Sequence, residues 1–112
     1  MRNISFFLTT EQFLNGTKDV TRRFAWWTLK PGDLLQAVRK SQGRKKGEPI
    51  EKLGVIEIVS VRREPLYAIT QEDCIREGFP HFTPDQFVAM LMQHAKCEHD
   101  TIVNRIEFMR IS

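Results

Sequence analysis

The stretch LGVIEIVSVRR, residues 53 to 63, constrains the fold more than any other part of the chain. Ile, Val and Leu fill both faces early in this run, a composition that favours an extended strand covered on both sides. We therefore expect this strand at the centre of a sheet. The chain has 112 residues, which is long enough for one continuous core, so we expect a single domain over residues 1–112.

Other segments of high β-propensity surround this run. They predict strands at residues 3–8, at about 18–24, at 34–38 and in the closing segment TIVNRIEFMRI, 101–111. The turn KPGD, residues 30–33, leads into the third of these, with Pro31 preset for its second position and Gly32 free to adopt positive φ at its third.

Three helix signals interrupt the strands. Thr10 is placed to cap a short helix through Leu14, which Gly16 ends in a left-handed conformation. The segment TQEDCIREG, 70–78, has a capping threonine and a terminating glycine, and TPDQ, 83–86, precedes apolar residues at helical spacing. Five short strands with inserted helices predict an α+β fold, a small and mostly antiparallel barrel with helices at its mouth.

Composition and charge narrow the functional classes. No apolar run approaches the roughly 18 residues that span a bilayer, and the N-terminus lacks the pattern of a signal peptide, so we expect a cytoplasmic protein with no membrane partner. Cys74 and Cys97 are expected as reduced thiols, because a chain with an adequate core needs no disulfide. A net charge of +3 and a pI near 9.1 permit attraction to phosphate.

The segment RKSQGRKK, residues 39–46, concentrates positive charge in what reads as an exposed loop. It holds no anion and five cations: Arg39, Lys40, Arg44, Lys45 and Lys46. We call it the basic loop. A solubilising hairpin tip and a contact surface for nucleic-acid phosphates both fit this pattern.

The stretch LNGTKDVTRRF, residues 14–24, gathers polar groups where apolar residues are too sparse for an ordinary core strand. Its segment GTKDVTRR, 16–23, is followed by KPGD, the β-rich run, REGF at 76–79 and RIEF at 105–108. This order of motifs resembles an ASCH domain. The resemblance implies a PUA-like β-barrel with short helices at a cleft. It also points to a superfamily with suspected RNA binders, a ribonuclease-like member and a bacterial enzyme that deacetylates acetylcytidine.

The resemblance also implies site residues. By motif position, the catalytic lysine, threonine and glutamate of that deacetylating enzyme fall on Lys18, Thr21 and Glu77. In that chemistry Thr21 is the nucleophile, Lys18 its base, and Glu77 positions the lysine or relays a proton. Arg23 matches a basic position suited to a phosphate or an acyl oxygen. Lys18 and Thr21 point to opposite faces of a regular strand, so they share a cleft only if Lys18 lies in the preceding turn or a bulge intervenes.

Some features favour a ligand larger than a free nucleoside. Trp26 and Trp27 follow the motif directly, and the basic loop and the segment Phe79-Pro80-His81-Phe82 are additions to the small deacetylase pattern. In a strand the two tryptophans face opposite ways, so we expect one in the core. We therefore take these residues as candidate nucleic-acid contacts: Arg22, Arg23, Trp26, Arg39, Lys40, Arg44, Lys45 and Lys46.

The leading hypothesis is a module that binds RNA, or a modified nucleotide within it, in a basic cleft. The alternative is an amidohydrolase that removes an acyl group from a nucleobase, and a third class is a protein-interaction domain that has lost both roles. We expect no cofactor. We also expect no metal, because Cys97-Glu98-His99, with Cys74, His81 and His94 elsewhere, matches no common ligand spacing.

Overall fold

The computed structural model describes residues 1–41 and 45–112. Five strands form one mixed sheet that curls into a half-barrel: β1 Arg2–Ser5, β2 Val20–Arg23, β3 Leu34–Val38, β4 Lys52–Pro65 and β5 Ile102–Arg110. Their order is β1-β3-β4-β5-β2, with β1 and β3 parallel and the other neighbours antiparallel. The predicted class, a small α+β PUA-like barrel, is confirmed.

Strand β4 lies at the centre of the sheet, as its composition predicted. It spans 14 residues and pairs with β3 along its first half, where Ile56 lies opposite Leu35, and with β5 along most of its length. The register against β5 shifts between Ile58 and Ser60, which leaves Val59 exposed. Such a bulge bends a strand, and here it accompanies the curl of the sheet.

In the described connections lie three α-helices and two short 3₁₀ segments: 3₁₀ Phe7–Thr9, α1 Thr10–Leu14, 3₁₀ Leu66–Ala68, α2 Gln71–Arg76 and α3 Pro84–Ala95. The predicted starts of α2 and α3 are confirmed, because Thr70 accepts a hydrogen bond from the Asp73 backbone and Thr83 forms a full capping box with Gln86. These caps fix where each helix begins.

The N-terminal segment differs from its prediction in two ways. The first strand ends at Ser5 and not at residue 8, because the chain turns into the 3₁₀ segment after Phe6. Thr9 takes the N-cap position of α1, and the Thr10 hydroxyl instead donates to the Phe6 carbonyl at 2.8 Å. Gly16 does adopt the left-handed conformation expected of it, with φ of 79°.

Two hydrophobic clusters lie on either side of a polar region. The first joins the sheet to α1 and contains Phe6, Phe13, Leu35, Ile56, Ile106 and Phe108, among others. The second lies beneath α2 and α3 and contains Leu66, Ile69, Cys74, Phe87, Val88 and Val103. Both cysteines are free thiols. No helix in the described part of the chain is both long and apolar enough to cross a membrane.

Candidate functional site

A cavity of about 330 Å³ opens between the two hydrophobic clusters, and we call it the first cavity. Its wall includes Phe6 from the first cluster and Phe87 from the second. Other aromatic and apolar side chains continue the wall, and polar residues lie among them: Ser5, Thr9, Lys18, Thr21, Arg22, Arg23, Glu77 and His94. The structure thus brings the three predicted catalytic residues to one cavity.

Lys18 lies in the turn before β2, which is the placement that sharing a cleft with Thr21 requires. Its backbone N–H donates to the Gln12 carbonyl at 3.2 Å, and the next N–H, of Asp19, donates to the Arg76 carbonyl at 3.0 Å. These bonds join the turn to the ends of α1 and α2. Because Lys18 precedes β2, the alternation of side-chain directions along that strand does not determine where the Lys18 side chain points.

The Lys18 ammonium is held by one residue, Glu77. Lys18 Nζ lies 2.7 Å from Glu77 Oε1 and donates to the Glu77 backbone carbonyl at 2.9 Å. The two side chains are only 3% and 4% exposed. Burial lowers the pKa of Lys18, the interaction with Glu77 opposes that effect, and the nearby Arg23 and Arg22 add to the lowering. Lys18 is therefore closer to the neutral amine than an exposed lysine is.

Thr21 and Arg23 are two residues apart on β2 and so project from the same face of the strand. Arg23 Nε donates to Thr21 Oγ1 at 3.0 Å, and an Arg23 terminal nitrogen donates to the Ser5 carbonyl at 2.6 Å. The guanidinium also stacks over Phe6, 5.2 Å from the ring centre. Burial lowers the pKa of Arg23 to about 10, so it stays a fixed cation at neutral pH.

Arg22 points away from that face, into a buried network of charges. Its guanidinium side chain is fully buried and donates to Glu77 at 3.1 Å, to Glu64 at 3.0 Å and to Asp73. Within the described chain its Nε has no hydrogen-bond partner. Its guanidinium thus lies among carboxylates and donates to Glu77, and the expected contact of Arg22 with nucleic acid stays a prediction.

Sequence reasoning missed Asp73 and Arg105. Arg105 lies directly opposite Arg22 across the β2–β5 pair, and two like charges in that position repel each other. Asp73 offsets this repulsion because its carboxylate accepts hydrogen bonds from both arginines. Burial alone would raise the pKa of Asp73, but these bonds outweigh it and hold the pKa well below its usual range. Arginines in the middle of two strands were the signal available in the sequence.

A second cavity, of about 570 Å³, adjoins the first. Three of its lining residues, Ser5, Phe7 and Arg23, also line the first cavity, and the others are Asn3, Trp26, Lys40 and Ser41. Trp26 packs partly against the first cluster, whereas Trp27 is 40% exposed beneath Arg63. Of the candidate nucleic-acid contacts, Arg23, Trp26 and Lys40 are therefore neighbours.

The basic loop leaves the sheet beside the second cavity. Arg39 pairs with Glu51 at 3.0 Å and Lys40 pairs with Glu48 at 3.5 Å. Lys45 and Lys46 are exposed, and the Lys45 backbone N–H donates to Glu48 at 2.9 Å. Arg44 lies outside the described residues. Over residues 1–41 and 45–112, no group of three or more His, Cys, Asp or Glu residues is placed to hold a metal ion.

Comparisons with known proteins rest on structure alone, since no family model and no curated protein matches the sequence. The chain is similar to the crystal structure of an Enterococcus faecalis V583 protein of the family DUF984, with a TM-score of 0.68 and 13% identity over 99% of this chain and 76% of that one. It is also similar to an ASCH domain from Lactobacillus crispatus JV V101, with a TM-score of 0.60 and 16% identity over 92% and 70% of the two chains. The chain has an ASCH-like fold.

Proposed function

We propose that the first cavity binds one nucleobase of RNA, in a modified form such as an acylated cytosine. A single observation carries the proposal. Polar groups of both hydrogen-bonding kinds, the buried Lys18, Thr21 and Glu77 and the half-buried cation Arg23, lie in one cavity whose remaining wall is largely apolar and aromatic. A site for a base taken out of a strand combines hydrogen bonds to the base edge with stacking on apolar side chains.

The size of the cavity supports a single base. Its volume of about 330 Å³ lies near the lower end of small-molecule sites, which run from roughly 300 to 1,000 Å³. Phe7 lies at this cavity and is 60% exposed, which suits an aromatic ring that stacks on a base. The cavity has space for one ring, an aromatic side chain for stacking, and buried hydrogen-bond donors and acceptors. These properties suit a nucleobase better than an extended peptide.

Titration calorimetry with acetylcytidine and cytidine tests the proposal. We expect acetylcytidine to bind and Glu77→Gln to weaken it, because the variant loses the charge that fixes Lys18. Glu72→Gln is the matched control, since Glu72 is an exposed carboxylate in the first turn of the helix that Glu77 terminates. If neither nucleoside binds and oligoribonucleotides containing them also fail to bind, the proposal is wrong and a protein-interaction role is favoured.

One observation favours amidohydrolysis as a second function of the same cavity. Lys18 is a buried amine of lowered pKa in the same cavity wall as the hydroxyl of Thr21. In this function neutral Lys18 takes the Thr21 proton as Oγ1 attacks the acyl carbon, and Arg23 stabilises the oxyanion. The proton then passes to the departing base amine as the C–N bond breaks. Water finally hydrolyses the threonine ester, which releases the carboxylic acid and restores Thr21.

A further inference from the structure

We propose that the second cavity binds the nucleotide adjacent to the recognised base, through its phosphodiester and its ring, so that the ligand is an RNA strand and not a free nucleoside. The inference rests on the proposed function, because it assigns the first cavity to the base. It goes further by assigning Lys40 and Trp26, together with the shared Arg23, to the neighbouring nucleotide.

The two cavities are continuous through one cation. Arg23 lines both, and its guanidinium is anchored by Thr21 Oγ1 on one side and by the Ser5 carbonyl on the other. A cation fixed at the junction suits the charged group that joins two nucleotides, because its position is already ordered before the ligand arrives. The phosphodiester is that group.

The lining of the second cavity suits a phosphate. Arg23 and Lys40 supply positive charge, Ser41 supplies a hydroxyl, and among the described lining residues none is acidic. Lys40 is paired with Glu48 at 3.5 Å, and both side chains are about one-third exposed. An ion pair of that exposure contributes little to stability, so a phosphate can replace Glu48 as the partner of Lys40.

Trp26 supplies the surface for a ring. Its backbone has φ of 67°, a left-handed conformation that is uncommon for a bulky residue and occurs preferentially at functional sites. The conformation is supported from β5, where Asn104 Nδ2 donates to the Trp26 carbonyl at 2.9 Å. Arg2 lies over the indole, 4.7 Å from the ring centre. An aromatic ring held beside a phosphate site is the arrangement that stacks bases of single strands.

Two residues that line the second cavity, Lys40 and Ser41, belong to the basic loop. The exposed Lys45 and Lys46 follow a few residues later. A strand that places one base in the first cavity and the next nucleotide on Trp26 therefore continues towards further cations. Those cations suit backbone contact, which carries affinity without sequence information.

Five probes of three kinds separate the two cavities: acetylcytidine, its 5′- and 3′-monophosphates, and the two dinucleotides in which acetylcytidine precedes or follows uridine. We expect one of the monophosphates, and the dinucleotide of the same polarity, to bind about tenfold or more tightly than the nucleoside. Raising the salt concentration should remove much of the gain, because the added contact is ionic. Calorimetry at two salt concentrations measures both effects.

Variants identify the residues responsible. Lys40→Ala should abolish the gain from the phosphate, and Trp26→Ala the further gain from the second ring, while both leave acetylcytidine affinity unchanged. Lys30→Ala and Trp27→Ala are matched controls that keep both gains, since Lys30 lies at the opposite end of β3 and Trp27 stacks against Arg63. Should Trp26→Ala fail to fold, Lys40→Ala and the wild-type ligand series still decide the matter.

Two failures are distinguishable. If the nucleoside, the monophosphates and the dinucleotides all bind equally, the second cavity has no ligand role and this inference is wrong, although the proposed base site stands. If no probe binds, the proposed function itself fails. A gain that survives Lys40→Ala and Trp26→Ala together also overturns the inference, because the extra contact then lies elsewhere.

Discussion

Lys18 Nζ lies 2.7 Å from Glu77 Oε1, and the second oxygen of that carboxylate accepts a hydrogen bond from Arg22 at 3.1 Å. One buried carboxylate therefore bridges a lysine at the first cavity and an arginine of the charged network. Because Arg22 also forms ion pairs with Asp73 and Glu64, it holds the Glu77 carboxylate in one orientation. The position of Lys18 Nζ thus depends on residues that lie outside the cavity.

Replacing Glu77 with glutamine should lower the pKa of Lys18 further. Burial already lowers that pKa and Glu77 opposes the effect, so removal of its charge leaves burial with less opposition. NMR titration of the lysine Nζ or Cε signals measures the change. Glu72→Gln should leave the signal of Lys18 where it is, and a Lys18 pKa that rises in Glu77→Gln contradicts the ion-pair geometry.

Gly78→Ala should cost more stability than Gly16→Ala, although both glycines have positive φ, 97° and 79°. A Cβ at Gly78 would lie 2.7 Å from Gln12 Cγ, whereas nothing lies within 4 Å of one at Gly16. Each change carries a backbone penalty of about 1 kcal/mol, and only Gly78→Ala adds a clash. Urea unfolding measures the difference.

The same pair of variants reports on the site. Gly78 follows Glu77 directly and accepts a hydrogen bond from Gln12 at 3.3 Å, so displacing it moves the carboxylate that holds Lys18. Gly78→Ala should therefore weaken nucleoside binding, and Gly16→Ala should not. Equal losses of stability in the two variants would show that Gln12 moves aside without cost.

Asp73→Asn should destabilise the fold by roughly 3–5 kcal/mol at pH 7, because it removes the carboxylate that holds the buried Arg105 and one of the three that hold Arg22. The pKa of Asp73 in the folded protein is depressed, so its contribution is present above its unfolded pKa of about 3.9 and is lost as the pH falls through that value and below. The wild type should therefore lose stability more steeply than Asp73→Asn between about pH 5 and pH 2. Parallel pH dependences of the two unfolding free energies would exclude this role.

Local patterns predicted most of the fold, because they act over a few residues. The composition of LGVIEIVSVRR placed β4 at the centre, and Thr83 with Gln86 fixed the start of α3. The start of α1 was missed by one residue, since adjacent threonines offer two possible caps and only the turn at Phe6 selects between them. The parallel pairing of β1 with β3 depends on contacts more than 30 residues apart, which no local pattern encodes.

The candidate site was predictable in part. The motif order anticipated that Lys18, Thr21 and Glu77 share a cavity. The network around Arg22 was not anticipated, because pairing Arg22 with Arg105 requires the β2–β5 register and placing Asp73 between them requires the docking of α2. Buried ion pairs of this kind depend on tertiary structure and cannot be predicted from the spacing of residues in the sequence.

Replacing Arg44, Lys45 and Lys46 with alanine should weaken RNA binding to a similar extent for all sequences. The basic loop is expected to contact phosphates, which carry no sequence information, and not base edges. The slope of log affinity against log salt should become shallower, because fewer counterions are released on binding. Fluorescence anisotropy with two unrelated oligoribonucleotides checks this, and an unchanged slope would leave the loop as a solubilising tip.

Thr21→Ala and Lys18→Met should each abolish any hydrolysis of acetylcytidine, and Glu77→Gln should reduce it strongly. The losses should not add in double variants, because the three side chains act as one unit. In the wild type the rate should rise with pH through an apparent pKa below that of an ordinary lysine, since the neutral amine is the active form and burial lowers the pKa of Lys18.

Cytidine release at high protein concentration is the assay, with Glu72→Gln as the control that keeps the wild-type rate. Absence of release eliminates the acetylcytidine reaction, and a rate that survives Thr21→Ala eliminates Thr21 as the nucleophile. If the protein only binds the base, the same substitutions should weaken nucleoside binding by about 1–3 kcal/mol, the cost of a lost polar partner.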